Sequence, residues 1–232
     1  MGGADDEPAA VAARYARRHD GDRYSPLRPE VWQTVQERDR ALLRRLAAQG
    51  LRSLAPLAIT EVGCGGGGNL LGLLRLGASP ERLIGLELIP ERHAQARRVL
   101  PPAVALHLGD ACAAPLAPAS QDLVLQYTVF SSLLDDDFQQ RLAGAMWRWL
   151  KPGGAVLWYD FTVDNPGNRD VRGVPLARVR ALFPEGRVRA ERVTLAPPLA
   201  RAACALHPAL YRPLAALPGL RTHLLAWIGR PA

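Results

Sequence analysis

The chain predicts an α/β fold, a mainly parallel sheet covered by helices on both faces. Three observations carry that expectation. From residue 57 onward, apolar runs of strand length alternate with helix-patterned segments, and that alternation implies parallel strands joined by crossover helices. A glycine-rich turn, Gly63-Cys64-Gly65-Gly66-Gly67-Gly68, separates the first of these strands from the first crossover helix. The length of 232 residues, 48% hydrophobic and 22% charged, suits one sizeable domain with extensions.

The elements follow in order. Residues 1–30 are polar, with Pro8, Pro26 and Pro29, and the first ten or so are expected to be disordered. Residues 31–49 have helical spacing, with Val31, Val35, Leu42, Leu43 and Leu46 able to share a face and Gly50 as a stop. Residues 1–50 therefore read as a tail and helical cap, and 51–232 as the main domain. Strands are expected at 57–62, 82–88, 104–108, 122–127 and 155–161, with helices at 68–77, 90–99 and 135–150 between them. Asp135-Asp136-Asp137 opens the last helix, where acids suit the positive end of the dipole. Lys151-Pro152-Gly153-Gly154 reads as a helix-to-strand turn. A loop at 162–173 then leads to a short helix at 175–183 and an alternating strand at 187–195. Pro197-Pro198 ends that strand. Pro208 and Pro213 divide 199–217 into two short helices, and 220–229 reads as a final strand.

The composition narrows the class. No apolar run reaches about 18 residues, so no transmembrane helix is expected. No apolar core of a signal peptide is visible in the first thirty residues. Cys64, Cys112 and Cys204 lack metal-ligand spacing and read as reduced thiols of a cytoplasmic protein, so no metal is expected. The net charge of +7 invites nucleic acid, but Lys151 is the only lysine and the arginines are dispersed. Dispersed charge is ordinarily a solvated face, which argues against a nucleic-acid substrate.

The glycine turn lets backbone approach a ligand where a Cβ would clash. Gly63, Gly65 and Gly68 satisfy G-x-G-x-x-G, and Glu87 follows about one βα unit later, so a dinucleotide site fits. Three features break the tie. Glu61 stands where a nicotinamide site usually has an apolar residue. Gly109-Asp110-Ala111 places a carboxylate after the third strand, and Leu150-Lys151-Pro152-Gly153-Gly154 precedes the fifth.

In that order, these residues resemble the class I S-adenosylmethionine-dependent methyltransferases over about residues 57–161. Glu87 departs from the aspartate more common in that family. The resemblance implies a doubly wound, Rossmann-like sheet of seven strands with an antiparallel last strand, an N-terminal helical extension, and helices between the last two strands. It implies S-adenosylmethionine as cofactor. Glu61 would anchor the amino end of the methionine moiety. The backbone of Gly63, Cys64, Gly65 and Gly67 would lie against methionine and ribose. Glu87, with Leu88 beside it, would accept from the ribose hydroxyls, and Asp110 and Ala111 would read the adenine edge. Gln126 and Tyr127 would face the methyl group, and the segment holding Tyr15, Tyr24 and Ser25 would fold over the cofactor. The pattern of the last third is similar to bacterial methyltransferases of small-molecule or glycoconjugate pathways.

Methyl transfer from a sulfonium needs a protein base only when the acceptor arrives protonated. Asp160 and His223 are the base candidates at the carboxyl edge of the sheet, beside Tyr127. Capping or core roles compete for both; His107 reads as structural. The expected acceptor is a hydroxyl or amine of a small molecule or glycoconjugate. RNA or protein methylation and a non-catalytic or dinucleotide-binding domain are the alternatives. Residues 199–217 read as a pocket lid or sheet-covering helices, with a peripheral membrane surface as the second possibility.

Overall fold

The computed structural model describes residues 6–17, 21–22, 24–165 and 167–232. The expected disorder of residues 1–5, and Pro166 of the 162–173 loop, lie outside the described residues. Seven strands form one sheet: β1 Ile59–Val62, β2 Leu83–Glu87, β3 Ala105–Leu108, β4 Gln121–Tyr127, β5 Leu150–Phe161, β6 Arg187–Leu195 and β7 Arg221–Gly229. Their spatial order is β3-β2-β1-β4-β5-β7-β6. β1 to β5 pair in parallel, and β7 runs antiparallel to both of its neighbours. The central strands are buried on both faces, so β1 is buried at every residue, while edge strand β3 is exposed or half-buried throughout.

Eight helices accompany the sheet among the described residues: α1 Glu7–Ala16, α2 Pro29–Ala48, α3 Gly68–Arg75, α4 Pro90–Val99, α5 Asp136–Trp149, α6 Leu176–Leu182, α7 Pro197–Leu206 and α8 Tyr211–Ala215. Two cores result. On one face, Leu142, Met146 and Trp149 of α5 and Val179 of α6 pack on Val124, Val156 and Trp158. On the other, Leu42 and Leu46 of α2, Leu70 of α3 and Ala96 of α4 pack on Ile59, Leu125 and Leu157. A smaller cluster joins Leu195 to Ala200 and Cys204 of α7 and to Tyr211 of α8. The Tyr211 hydroxyl donates to Glu37 Oε2 at 2.7 Å, and Glu37 Oε1 accepts the Thr194 N–H at 3.0 Å, so one carboxylate of α2 ties α8 to β6.

Two expectations are corrected. The segment 151–154 is not a helix-to-strand turn. β5 begins at Leu150, opposite Gln121, and its register jumps so that Ala155 faces Leu123. The four intervening residues form a bulge, with Lys151 Nζ held 2.8 Å from Asp122 Oδ2. Residues 7–10 are also not disordered but open α1. Glu7 is buried; its Oε1 accepts the Leu134 N–H at 2.7 Å and pairs with Arg14 at 2.6 Å. Arg14 in turn donates to the Ser132 carbonyl at 3.0 Å, and Val11 enters the core. A terminus tied down in this way stays ordered.

Breaking a buried pair leaves an uncompensated charge and costs roughly 3–5 kcal/mol. Glu7→Gln should release α1 while the sheet remains folded. Hydrogen exchange would show amide protection lost across 7–16 and retained in β1 and β4; unchanged protection in α1 would refute the anchor.

Candidate active site

β1 is flanked by β2 on one side and β4 on the other, so the crossovers leave in opposite directions and open a crevice at the carboxyl ends of the strands. A cavity lies there, at the usual place for a ligand in an open α/β sheet. Val62 and Gly63 line it from β1, residues 86–89 from β2, 109–111 after β3 and 127–129 after β4. Pro8, Val11 and Tyr15 of α1 close one side, and the Arg92 guanidinium lies 4.4 Å from the Tyr15 ring centroid.

The loop between β1 and α3 needs its glycines. Gly63, Gly65 and Gly67 take φ of +65°, +55° and +85°. A Cβ on Gly63 would sit 2.5 Å from Val129 Cγ2. Glu87 fastens the loop: its Oε2 accepts the Gly65 N–H at 2.7 Å and its Oε1 the Ile89 N–H at 2.8 Å. Each oxygen keeps a second acceptor position, and Glu87 lines the cavity with Leu88. Asp110 and Ala111 line it too, with Asp110 Oδ1 accepting the Cys112 N–H at 2.8 Å.

Glu61 is wholly buried at the end of β1. Its Oε1 accepts from Asn69 Nδ2 at 2.6 Å, and its Oε2 has no partner. Burial pushes its carboxyl up to about 7, against the Asn69 hydrogen bond and the Arg38 charge and with help from Glu87. Arg38 reaches in from α2. Its guanidinium stands 5.0 Å from the Tyr127 ring centroid and 5.8 Å from that of Tyr159. Glu61 and Arg38 are not among the lining residues, though Val62 and Tyr127 beside them are. Glu87 and Asp110 put hydrogen-bond acceptors in the lining, which fits the hydroxyls and amino group of a nucleoside.

Other expected residues are not brought to the cavity. Cys64 turns into the core beside Gly85. Gln126 is wholly buried, and its Oε1 accepts the Val129 N–H at 3.1 Å, which shapes the turn after β4. Tyr24 stands 65% exposed and outside the lining; Tyr15 occupies the covering position instead. Asp160 is wholly buried and accepts the N–H groups of Ser131 and Phe161 at 3.1 and 3.0 Å. Burial raises its carboxyl to about 7. It caps the turn after β4 rather than facing the cavity. His223 stacks on Tyr159 with ring centroids 4.9 Å apart. Burial, and then the Arg38 charge, lower it to about 4, so it is neutral at neutral pH and a weak base. Tyr127 lines the cavity, with its hydroxyl pushed above the usual range by burial. No group of three or more metal-ligating side chains exists among the described residues.

Sequence reasoning missed Arg38 and α1. The signal for Arg38 was its spacing: it stands four residues before Leu42 and eight before Leu46, on the apolar stripe of α2. The signal for α1 was Val11 and Tyr15 four apart in an alanine-rich segment.

The sheet order and the crevice define a Rossmann-like methyltransferase fold. The methyltransferase-domain family model matches residues 60–158. A S-adenosylmethionine-dependent methyltransferase from Mesorhizobium loti is similar with a TM-score of 0.59 and 19% identity, over 81% of this chain and 96% of that one. One from Archaeoglobus fulgidus has a TM-score of 0.59 and 12% identity, over 82% and 94%. Phosphoethanolamine N-methyltransferase 2 of Haemonchus contortus, in complex with S-adenosyl-L-methionine, has a TM-score of 0.62 and 18% identity, over 84% of this chain and 52% of that one. The comparison with curated proteins returns no match. The domain match over residues 60–158 and the sheet order agree on a methyltransferase domain of this Rossmann-like fold.

Strain at positive φ and overpacking each cost roughly 1–3 kcal/mol. Gly63→Ala should therefore weaken S-adenosylmethionine binding about tenfold or more, and Val129→Ala in the same chain should restore part of it. Calorimetry checks both; wild-type affinity in Gly63→Ala would show that the loop does not abut the cofactor.

Proposed function

We propose that the enzyme methylates a hydroxyl or amine of a small molecule or glycoconjugate by direct displacement. The bound cofactor supplies an electrophilic sulfonium methyl group, which leaves alignment and exclusion of water to the protein. The observation that carries the cofactor assignment is the buried Glu61 Oε2 without a partner. Glu61 accepts from the methionine ammonium, and Arg38 faces the methionine carboxylate. Glu87 accepts from the ribose hydroxyls with the acceptor positions its backbone bonds leave open. Asp110 accepts from the adenine amino group, and Ala111 donates its N–H. Tyr127 orients the acceptor at the methyl end, and α1 excludes water.

Asp160 and His223 are both withdrawn from the cavity, the first by backbone N–H donors and the second by stacking. That favours an acceptor that arrives deprotonated, a neutral amine or an acidic hydroxyl. The covering of the cavity by α1 supports a small acceptor over RNA, as does a lining that holds a single arginine, Arg92, stacked on Tyr15. Cytoplasmic placement goes with this reading, supported by cysteines that are free and largely buried.

Truncating one member of a buried, hydrogen-bonded charge pair costs roughly 2–5 kcal/mol of binding. Glu61→Gln should lose S-adenosylmethionine affinity by that amount, and Arg38→Met by a comparable one, with both proteins folded by circular dichroism. Transfer of label from methyl-labelled cofactor to a panel of amines and phenols tests the acceptor class. Label entering only RNA or protein would overturn it.

A further inference from the structure

The α7–α8 hairpin carries an apolar, cationic surface that the methyl-transfer site does not use. In α7, Ala200, Ala203 and Cys204 face the core, which turns Leu199 and Leu206, seven residues apart, onto one outer flank. Leu210 and Leu217 bracket α8 with the same separation. These four leucines are 40%, 82%, 40% and 53% exposed. Residues 192–232 contain no aspartate or glutamate but carry five arginines. Arg221 is engaged internally, donating to the carbonyls of Ala215, Ala216 and Arg192. Arg201 and Arg212 are exposed and make no ion pair among the described residues.

We propose that this hairpin docks the enzyme on an anionic lipid surface, with leucines in the headgroup–acyl boundary and Arg201 and Arg212 against the headgroups. Exposed leucines interleaved with unpaired cations match that boundary. A second copy of the chain fits poorly, since two-fold pairing would set the arginines of each hairpin against a hairpin that itself carries no acid. Nucleic acid would leave the leucines without a partner. The hairpin joins β6 to β7, and β7 begins where β5 ends, with His223 opposite Phe161. Docking therefore brings the carboxyl edge of the sheet, where the cofactor cavity opens, toward the bilayer. The proposal does not depend on the identity of the methyl acceptor.

The test is co-sedimentation of the full chain with vesicles of phosphatidylcholine alone and of phosphatidylcholine mixed with phosphatidylglycerol. The expected result is about tenfold tighter binding to the mixed vesicles, weakened by added salt. Leu206→Gln with Leu210→Gln should reduce that binding about tenfold, while calorimetric S-adenosylmethionine affinity stays at the wild-type value. Arg201→Gln with Arg212→Gln should flatten the salt dependence. Absence of binding to either vesicle, or wild-type binding by both double variants, overturns the proposal. So does a dimer in sedimentation velocity that the leucine variant dissolves. Loss of cofactor binding in the wild-type chain would instead fail the methyltransferase reading, and the vesicle result would still decide docking.

Discussion

A carboxyl group buried at the centre of a parallel sheet without a full set of partners is costly, and the working edge of this protein is arranged around one. Glu61 is the penultimate residue of β1, the strand at which the order of the sheet reverses. Asn69, the second residue of α3, satisfies one oxygen, and Arg38 supplies the opposing charge from α2. The glycine loop must pass over this carboxyl closely enough for Glu87 to grip it from β2. The cost shows in titration. Glu61 and Asp160 both have carboxyls raised to about 7 from ordinary values near 4. A group raised on folding favours the folded state at low pH, and that contribution fades as pH rises through the folded value. The free protein therefore carries a penalty at neutral pH and above, one that a cation beside Glu61 offsets.

Most of the fold was legible because the strands are either continuously apolar or clearly alternating. The parallel core and the helices of the last third follow from that patterning and from proline placement, and the antiparallel last strand from the family resemblance. The 151–154 segment was misread because a proline and two glycines mark a turn in sequence, whereas the Lys151–Asp122 pair folds them into a bulge within one strand. The start of α1 was missed because its stability is tertiary. Glu7 binds a backbone N–H more than a hundred residues away, at Leu134.

The site was legible to the level of strand ends but not of side-chain direction. Of the candidates at this edge of the sheet, Glu87, Asp110 and Tyr127 line the cavity, and Glu61, Gln126, Asp160 and His223 do not. What separates them is which way each side chain turns, and which backbone N–H groups nearby lack a partner. Gln126 and Asp160 were recruited by the N–H groups of Val129 and Ser131, a demand created by the left-handed turn at Thr128. Nothing in the sequence marks that turn, since threonine seldom adopts positive φ. Arg38 was marked in the sequence only by its place on the apolar stripe of α2.

The central claim is that Glu61 is held for the ammonium group of the cofactor. Its carboxyl titrates at about 7 in the free protein, and a cation at Oε2 would favour the ionised form. Calorimetric titration with S-adenosylmethionine, in buffers of differing ionisation enthalpy, reads this directly. Binding should release a proton below about pH 7 and none well above it, with affinity rising as pH approaches that value and then levelling. Affinity that stays flat through this range without proton release, or heat from NAD in place of S-adenosylmethionine, would contradict the account.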